Sequence, residues 1–155
     1  MREVLQRARV ELPPALKKDG TPGVRNQVRY RCAGCGELHP QKWVQVDHIK
    51  PAVPLGVREE DMTPTELVAG IFCPQENLQV LCSTPLKFLP KGSRSCHAKK
   101  TNEENYIRKN MGKGLTEEQC KIAYQQDLAA KALKQKEKEL RKQARLEKQL
   151  RKANT

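Results

Sequence analysis

Three stretches of the chain alternate apolar and polar residues with period two, and each predicts a half-buried β-strand. In GVRNQVRYRC, Val24, Val28, Tyr30 and Cys32 share one parity and Arg25, Arg29 and Arg31 the other, so the arginines are expected to face outward together. In KWVQVDHI, Trp43 falls with Gln45 and Asp47, opposite Val44, Val46 and His48; Trp43 is assigned to the core. In CPQENLQVLC, Leu78, Val80 and Cys82 alternate against Gln79 and Leu81, directly after Asn77. Pro51 and Pro54 end the second of these strands soon after His48. Period two then sends the adjacent residues Asp47 and His48 to different faces.

The helical segments announce themselves by their ends. Residues 2–12 predict a short basic helix stopped by Pro13 and Pro14. In TPTELVAGIF, Thr63 is the expected N-cap, Pro64 the first helical residue and Glu66 the partner that completes a capping box. Residues 95–110 predict another helix, ending before MGKG, and Thr116 with Gln119 opens a last one, after which no Gly or Pro occurs. Continued to about residue 152, that helix would be roughly 55 Å long. Leu133 and Leu140 are a heptad apart, but the next position is Glu147, so no convincing apolar stripe runs along it. It reads either as a solvated basic helix or as one that binds nucleic acid or a partner. The loops differ in sign: 51–62 carries Glu59, Glu60 and Asp61, whereas 83–94 carries Lys87, Lys91 and Arg94 and no acid. There is no internal repeat.

Composition narrows the partners more than the fold. A chain of 155 residues with 37% hydrophobic and 4% aromatic residues cannot bury a large core. Something besides apolar burial is expected to hold it together. Thirty Lys and Arg against eighteen Asp and Glu give a net charge of +12, which points to a polyanion as partner. No apolar run approaches the length needed to cross a bilayer, and MREVLQRARVEL lacks an apolar core followed by a small-residue cleavage site. A soluble, cytoplasmic protein without membrane attachment is expected.

For six cysteines in such a setting, metal is favoured over disulfides. Cys32 and Cys35 form a CxxC in YRCAGCGELHP, with Gly34 and Gly36 allowing a tight knuckle turn. Tetrahedral zinc needs two more ligands, and Cys82 and Cys96 in LCSTPLKFLPKGSRSCH are the natural candidates. Thirteen residues separate them, a loop whose closure cost grows only logarithmically with its length. Cys73 or His39 in place of one of these ligands, or free thiols beside the CxxC, are the alternatives. Cys73 and Cys120 read as small apolar residues, one at a helix end and one on a helix face.

The order of the remaining parts carries a second chemistry. A strand ends in Asp47 and His48, Asn77 opens the next strand, and His97 follows Cys96 at the start of a helix. A phosphodiester repels nucleophiles through its negative charge, so hydrolysis calls for a cation on the phosphate and the departing oxygen. A carboxylate and an imidazole can hold that cation. A second imidazole, off the metal and with a pKa of about 6.5, can take the proton of the attacking water.

These residues, CAGC, VDHIKP, ENLQVLC and CHAKKT, resemble the HNH endonuclease family, in particular its zinc-stapled phage and restriction-type members. The resemblance covers about residues 29–105. It implies an α+β protein with a small ββα-metal (His-Me finger) core and a structural zinc knuckle. It also implies that His48 is the general base, that Asp47 and His97 hold a catalytic magnesium or manganese ion, and that Asn77 pins the loop orienting His48. Members of this type commonly have LCxxCH after the Asn, whereas eleven additional residues stand between Cys82 and Cys96 here.

The expected organisation is a basic N-terminal helix and arm over 1–28, a zinc-stapled nuclease domain over 29–112 and a basic C-terminal helix over 113–155. Double-stranded DNA is the expected partner, with Arg29, Arg31, Lys87, Lys91, Arg94, Lys99 and Lys100 as candidate phosphate contacts. The likeness also suggests a bacteriophage setting, where the last helix would meet a packaging protein or its own copy. The rival reading is a non-catalytic zinc-ribbon protein that binds nucleic acid.

Overall fold

The computed structural model describes residues 1–90 and 93–153. It is a mixed α/β structure with two small antiparallel sheets and a long C-terminal helix. The chain divides into two compact units, Met1–Asn105 and Tyr106–Thr155.

The first unit opens with α1 (Arg2–Ala8) and, where the sequence predicts helix to residue 12, turns directly into strand β1 (Arg9–Leu12). Arg9 already has extended backbone, and β1 pairs antiparallel with β2 (Gln27–Arg31) from Arg9 opposite Tyr30 to Leu12 opposite Gln27. A partner strand satisfies the backbone groups that a helix would have satisfied locally, and this override of local pattern is invisible without the partner. The first predicted strand is shorter than its pattern: Val24 lies outside β2 and is almost fully exposed. Strand β3 (Leu38–His39) completes a three-stranded sheet in the order β1-β2-β3.

The second sheet is the hairpin-like pair β4 (Val44–His48) and β5 (Leu78–Cys82), in register from Val44 opposite Cys82 to His48 opposite Leu78. Trp43, predicted at the start of this strand, instead closes a 3-10 turn over Gln41–Trp43. Between β4 and β5 runs α2 (Pro64–Ile71), with the predicted capping box complete: Thr63 accepts from the Glu66 backbone N–H, and Glu66 accepts from that of Thr63.

Helix α1 packs against strands of both sheets. Val4 of α1, Tyr30 of β2 and Val80 of β5 form one buried cluster, flanked by Leu5, Ala8, Val44, Val46 and Leu78. Gln75, two residues before Asn77, bonds to both Arg7 and Glu3 of α1. A second cluster holds Cys32, Leu81 and Cys82, with Cys96 against it. So few buried apolar residues give little burial energy, and the second cluster is largely sulfur.

Helix α3 (Cys96–Met111) crosses the division between the units. In the second unit, Ile107 and Cys120 are fully buried and the rings of Tyr106 and Tyr124 lie 5.1 Å apart. The last helix, α4 (Glu117–Ala153), starts at the second predicted capping box, where Thr116 and Gln119 bond reciprocally. Leu128, Leu133, Leu140 and Leu146 on α4 are all exposed.

Candidate metal centre and active site

The four thiols that spacing singled out meet in space. The Sγ atoms of Cys32, Cys35, Cys82 and Cys96 all lie within 4.8 Å of one another, and the four are positioned to hold a metal ion. Among the described residues they are the one group of three or more metal-ligating side chains. A tetrahedron of thiolates about 2.3 Å from zinc has sulfur atoms about 3.8 Å apart, so the donor set is compatible with structural zinc after small side-chain adjustments.

The convergence has local causes. The CxxC turn closes with Gly36 N–H donating to the Cys32 carbonyl, 2.9 Å, and with Gly36 at φ +75°, a conformation that glycine adopts without strain. Gly34 is required for a different reason: a Cβ there would lie 2.9 Å from Cys96 Cβ and 3.0 Å from its Sγ. The knuckle joins β5 through Ala33 N–H to Val80 O, 2.8 Å. Cys96 arrives at the start of α3, its N–H donating to Cys82 Sγ at 3.2 Å.

Electrostatics divides the thiols. Burial raises the pKa of Cys32, but backbone N–H groups of Cys82, Cys35 and Gly34 outweigh it and bring the thiol down to about 7. Burial raises Cys82, and burial together with Cys82 and Cys32 drives Cys96 far up. Thiols this close cannot all ionise against one another, and a bound cation removes that conflict.

Of the alternative ligands, His39 stands outside the four: its Nε2 is 3.7 Å from Cys35 Sγ and its Nδ1 is 3.4 Å from Thr84 Oγ1. An imidazole bonded to a ligating sulfur orients that ligand without occupying a coordination position. Cys73 is not in the cluster, and Cys120 is buried as a small apolar residue.

The second group of predicted residues surrounds the end of β4. Asp47 and His48 do part company there. Asp47 Oδ2 is 3.0 Å from Lys100 Nζ on α3, whereas His48 Nε2 faces the carbonyl of Ile71, at the end of α2, at 3.4 Å. When that contact is a hydrogen bond, Nε2 carries the proton and Nδ1 is the basic nitrogen. Asn77 clamps the chain just beyond His48. It accepts from Lys50 N–H with its side-chain oxygen at 2.8 Å, donates to Lys50 O at 3.0 Å, and its own carbonyl accepts from Ile49 N–H at 2.7 Å. Gly70 of α2 presses on the same loop, since a Cβ there would lie 2.2 Å from the Ala52 carbonyl oxygen.

The ammonium of Lys100, a candidate phosphate contact by its sign, is engaged with Asp47 and with Glu104, the latter at 2.5 Å. Burial acts to lower its pKa, and the bonds and charges of Glu104 and Asp47 outweigh that and hold it above its ordinary value. His97 lies three residues before Lys100, on the same face of α3. Glu104 went unnoticed in the sequence; its spacing of four from Lys100 is the signal that could have found it.

The other basic candidates are distributed. Arg29 donates to Gln27, Arg31 holds the knuckle through Gly36 O at 3.1 Å, and Lys99 and Arg94 are exposed. Lys91 lies outside the described residues. Trp43, assigned to the core, is only half-buried and pairs with Phe88 from the 83–94 loop, ring centroids 4.9 Å apart. Among the described residues no helix is long and apolar enough to cross a membrane. Comparison of the chain with protein-family models, curated proteins and solved structures returned no match.

Proposed function

We propose that the protein is a metal-dependent DNA endonuclease of the HNH type, with zinc at the four cysteines. The observation that supports it most is the Asn77 clamp. One side chain bonds both backbone groups of Lys50 and so fixes the turn immediately after the Asp47–His48 pair. A histidine merely filling surface space needs no such device; a base that must meet a water at a defined place does.

Within this reading each residue has a task. His48 accepts the proton of the attacking water through its unengaged ring nitrogen, and the Ile71 carbonyl fixes the ring. Asp47, with His97, holds a divalent ion that neutralises the phosphate and the departing oxygen when bound. The position suits a cation because Asp47 already holds one, the ammonium of Lys100. Glu104 gives that ammonium a second partner when Asp47 is otherwise engaged. The net charge of +12 favours binding to a duplex backbone, an attraction that weakens as salt rises.

The test is incubation of supercoiled plasmid with the purified protein in magnesium, manganese or chelator, beside a folded, zinc-loaded His48→Ala variant. Relaxation or linearisation that needs the metal and is lost in the variant is the expected result. If neither protein cuts under any metal while both retard DNA in a gel, the nuclease reading fails and the zinc-stabilised binding protein replaces it.

A further inference from the structure

The long loop between Cys82 and Cys96 builds something of its own. Pro85 starts a 3-10 turn over Leu86–Phe88, and the Ser83 N–H donates to the Trp43 carbonyl at 2.7 Å, which brings the loop beside the turn preceding β4. Phe88 thereby lies against Trp43, with centroids 4.9 Å apart and planes tilted by 34°. Lys42 Nζ sits 5.1 Å over the Trp43 ring and Lys87 Nζ 5.0 Å over that of Phe88. Phe88 is 55% exposed and Leu86 65%, so burial does not account for them.

We propose that Trp43 and Phe88, flanked by Lys42 and Lys87, form a stacking platform for an unpaired base of a DNA strand. The inference rests on the nucleic-acid reading and adds a second binding place to it. Two adjacent aromatic faces, each with a cation beside it, are what single-strand binding uses: rings take the bases and ammonium groups take the phosphates. An exposed lysine over a ring is weakly held, and base stacking is the stronger contact, so an incoming base displaces the ammonium toward the backbone. Charge agrees with this occupant, because residues 77–102 contain no Asp or Glu. A purely apolar partner segment would gain nothing from the two lysines. A paired base offers no free face, so the platform selects frayed or single-stranded DNA over intact duplex.

Trp43 is the one tryptophan of the chain, and its fluorescence therefore reports on the platform alone. The experiment titrates full-length His48→Ala protein, which leaves the strand uncut, with oligothymidylate of about twenty nucleotides. Binding is followed separately by anisotropy of a labelled strand. The expected result is quenching of Trp43 that saturates together with binding, a smaller effect from duplex of equal length, and affinity weakened about tenfold by Phe88→Ala but kept by Phe88→Tyr. Binding without quenching, equal binding by Phe88→Ala, or no binding of the single strand would each overturn the platform. Plasmid cleavage by the parent protein without quenching rejects the platform and leaves the nuclease standing. Quenching without cleavage does the reverse.

Discussion

The cysteine centre and the Asp47–His48 site lie in the same unit and both draw on α3, yet they solve opposite problems. The cysteine centre gathers four donors of one kind, and among the described residues no cation bears on their ionisation, so the charge conflict there calls for an ion from outside. At the other site, Asp47 is already neutralised by Lys100, and Lys100 in turn by Glu104. Under the proposed function the difference has a reason: a structural metal site is incomplete without its ion, whereas a site that must exchange ion and substrate is kept folded by the protein's own charges.

Breaking the first site is expected to have the largest effect. Cys32→Ser removes a sulfur that accepts backbone N–H bonds from Gly34 and Cys82 in one of the two buried clusters found among the described residues of the first unit. Apparent zinc-binding energies in small domains are about 10–16 kcal/mol, far more than a core of this size can replace. The variant should carry no stoichiometric zinc and show no cooperative melting by circular dichroism. A melt matching the parent protein would mean that the centre is not structural.

Next in size is Gly70→Ala, which leaves the cysteines alone and strikes the other site through its backbone. The added Cβ has to move either α2 or the Ala52 carbonyl, at a cost of about 1–3 kcal/mol. Zinc content should stay at that of the parent while the melting temperature falls and cleavage is lost. Equal loss of zinc would show that the two sites are one cooperative structure, against the contrast drawn above. Asn77→Ala should cost about 1–3 kcal/mol by leaving the Lys50 backbone groups without their partner. Cleavage should fall more than DNA affinity, and equal falls would remove the clamp from the mechanism.

Legibility in the sequence follows how local each interaction is. Both capping boxes were readable because Thr63 with Glu66 and Thr116 with Gln119 complete themselves within one turn. β4 and β5 were readable from alternation, and the cysteines from chemistry that has few alternatives. β1 was not, because Arg9–Leu12 becomes a strand only through β2. The same holds for Phe88, brought to Trp43 across a loop, and for Lys100, whose charge is visible in the sequence while the carboxylate that claims it is not.

That last residue gives the smallest and most discriminating prediction. The side chains of Asp47, Glu104 and Lys100 are each a little over one-fifth exposed, between the regimes of surface and buried pairs. Lys100→Met should therefore cost only about 1–2 kcal/mol of stability. Its effect on metal should run the other way. With the ammonium gone, a divalent ion no longer competes for Asp47, and nearby negative charge is left uncompensated, so manganese should bind several-fold more tightly in calorimetry of the zinc-loaded protein. Asp47→Asn in the same background should abolish the gain, which assigns it to that carboxylate. Unchanged manganese affinity in Lys100→Met would place the ion elsewhere and reduce the Asp47–Lys100–Glu104 chain to a brace between β4 and α3.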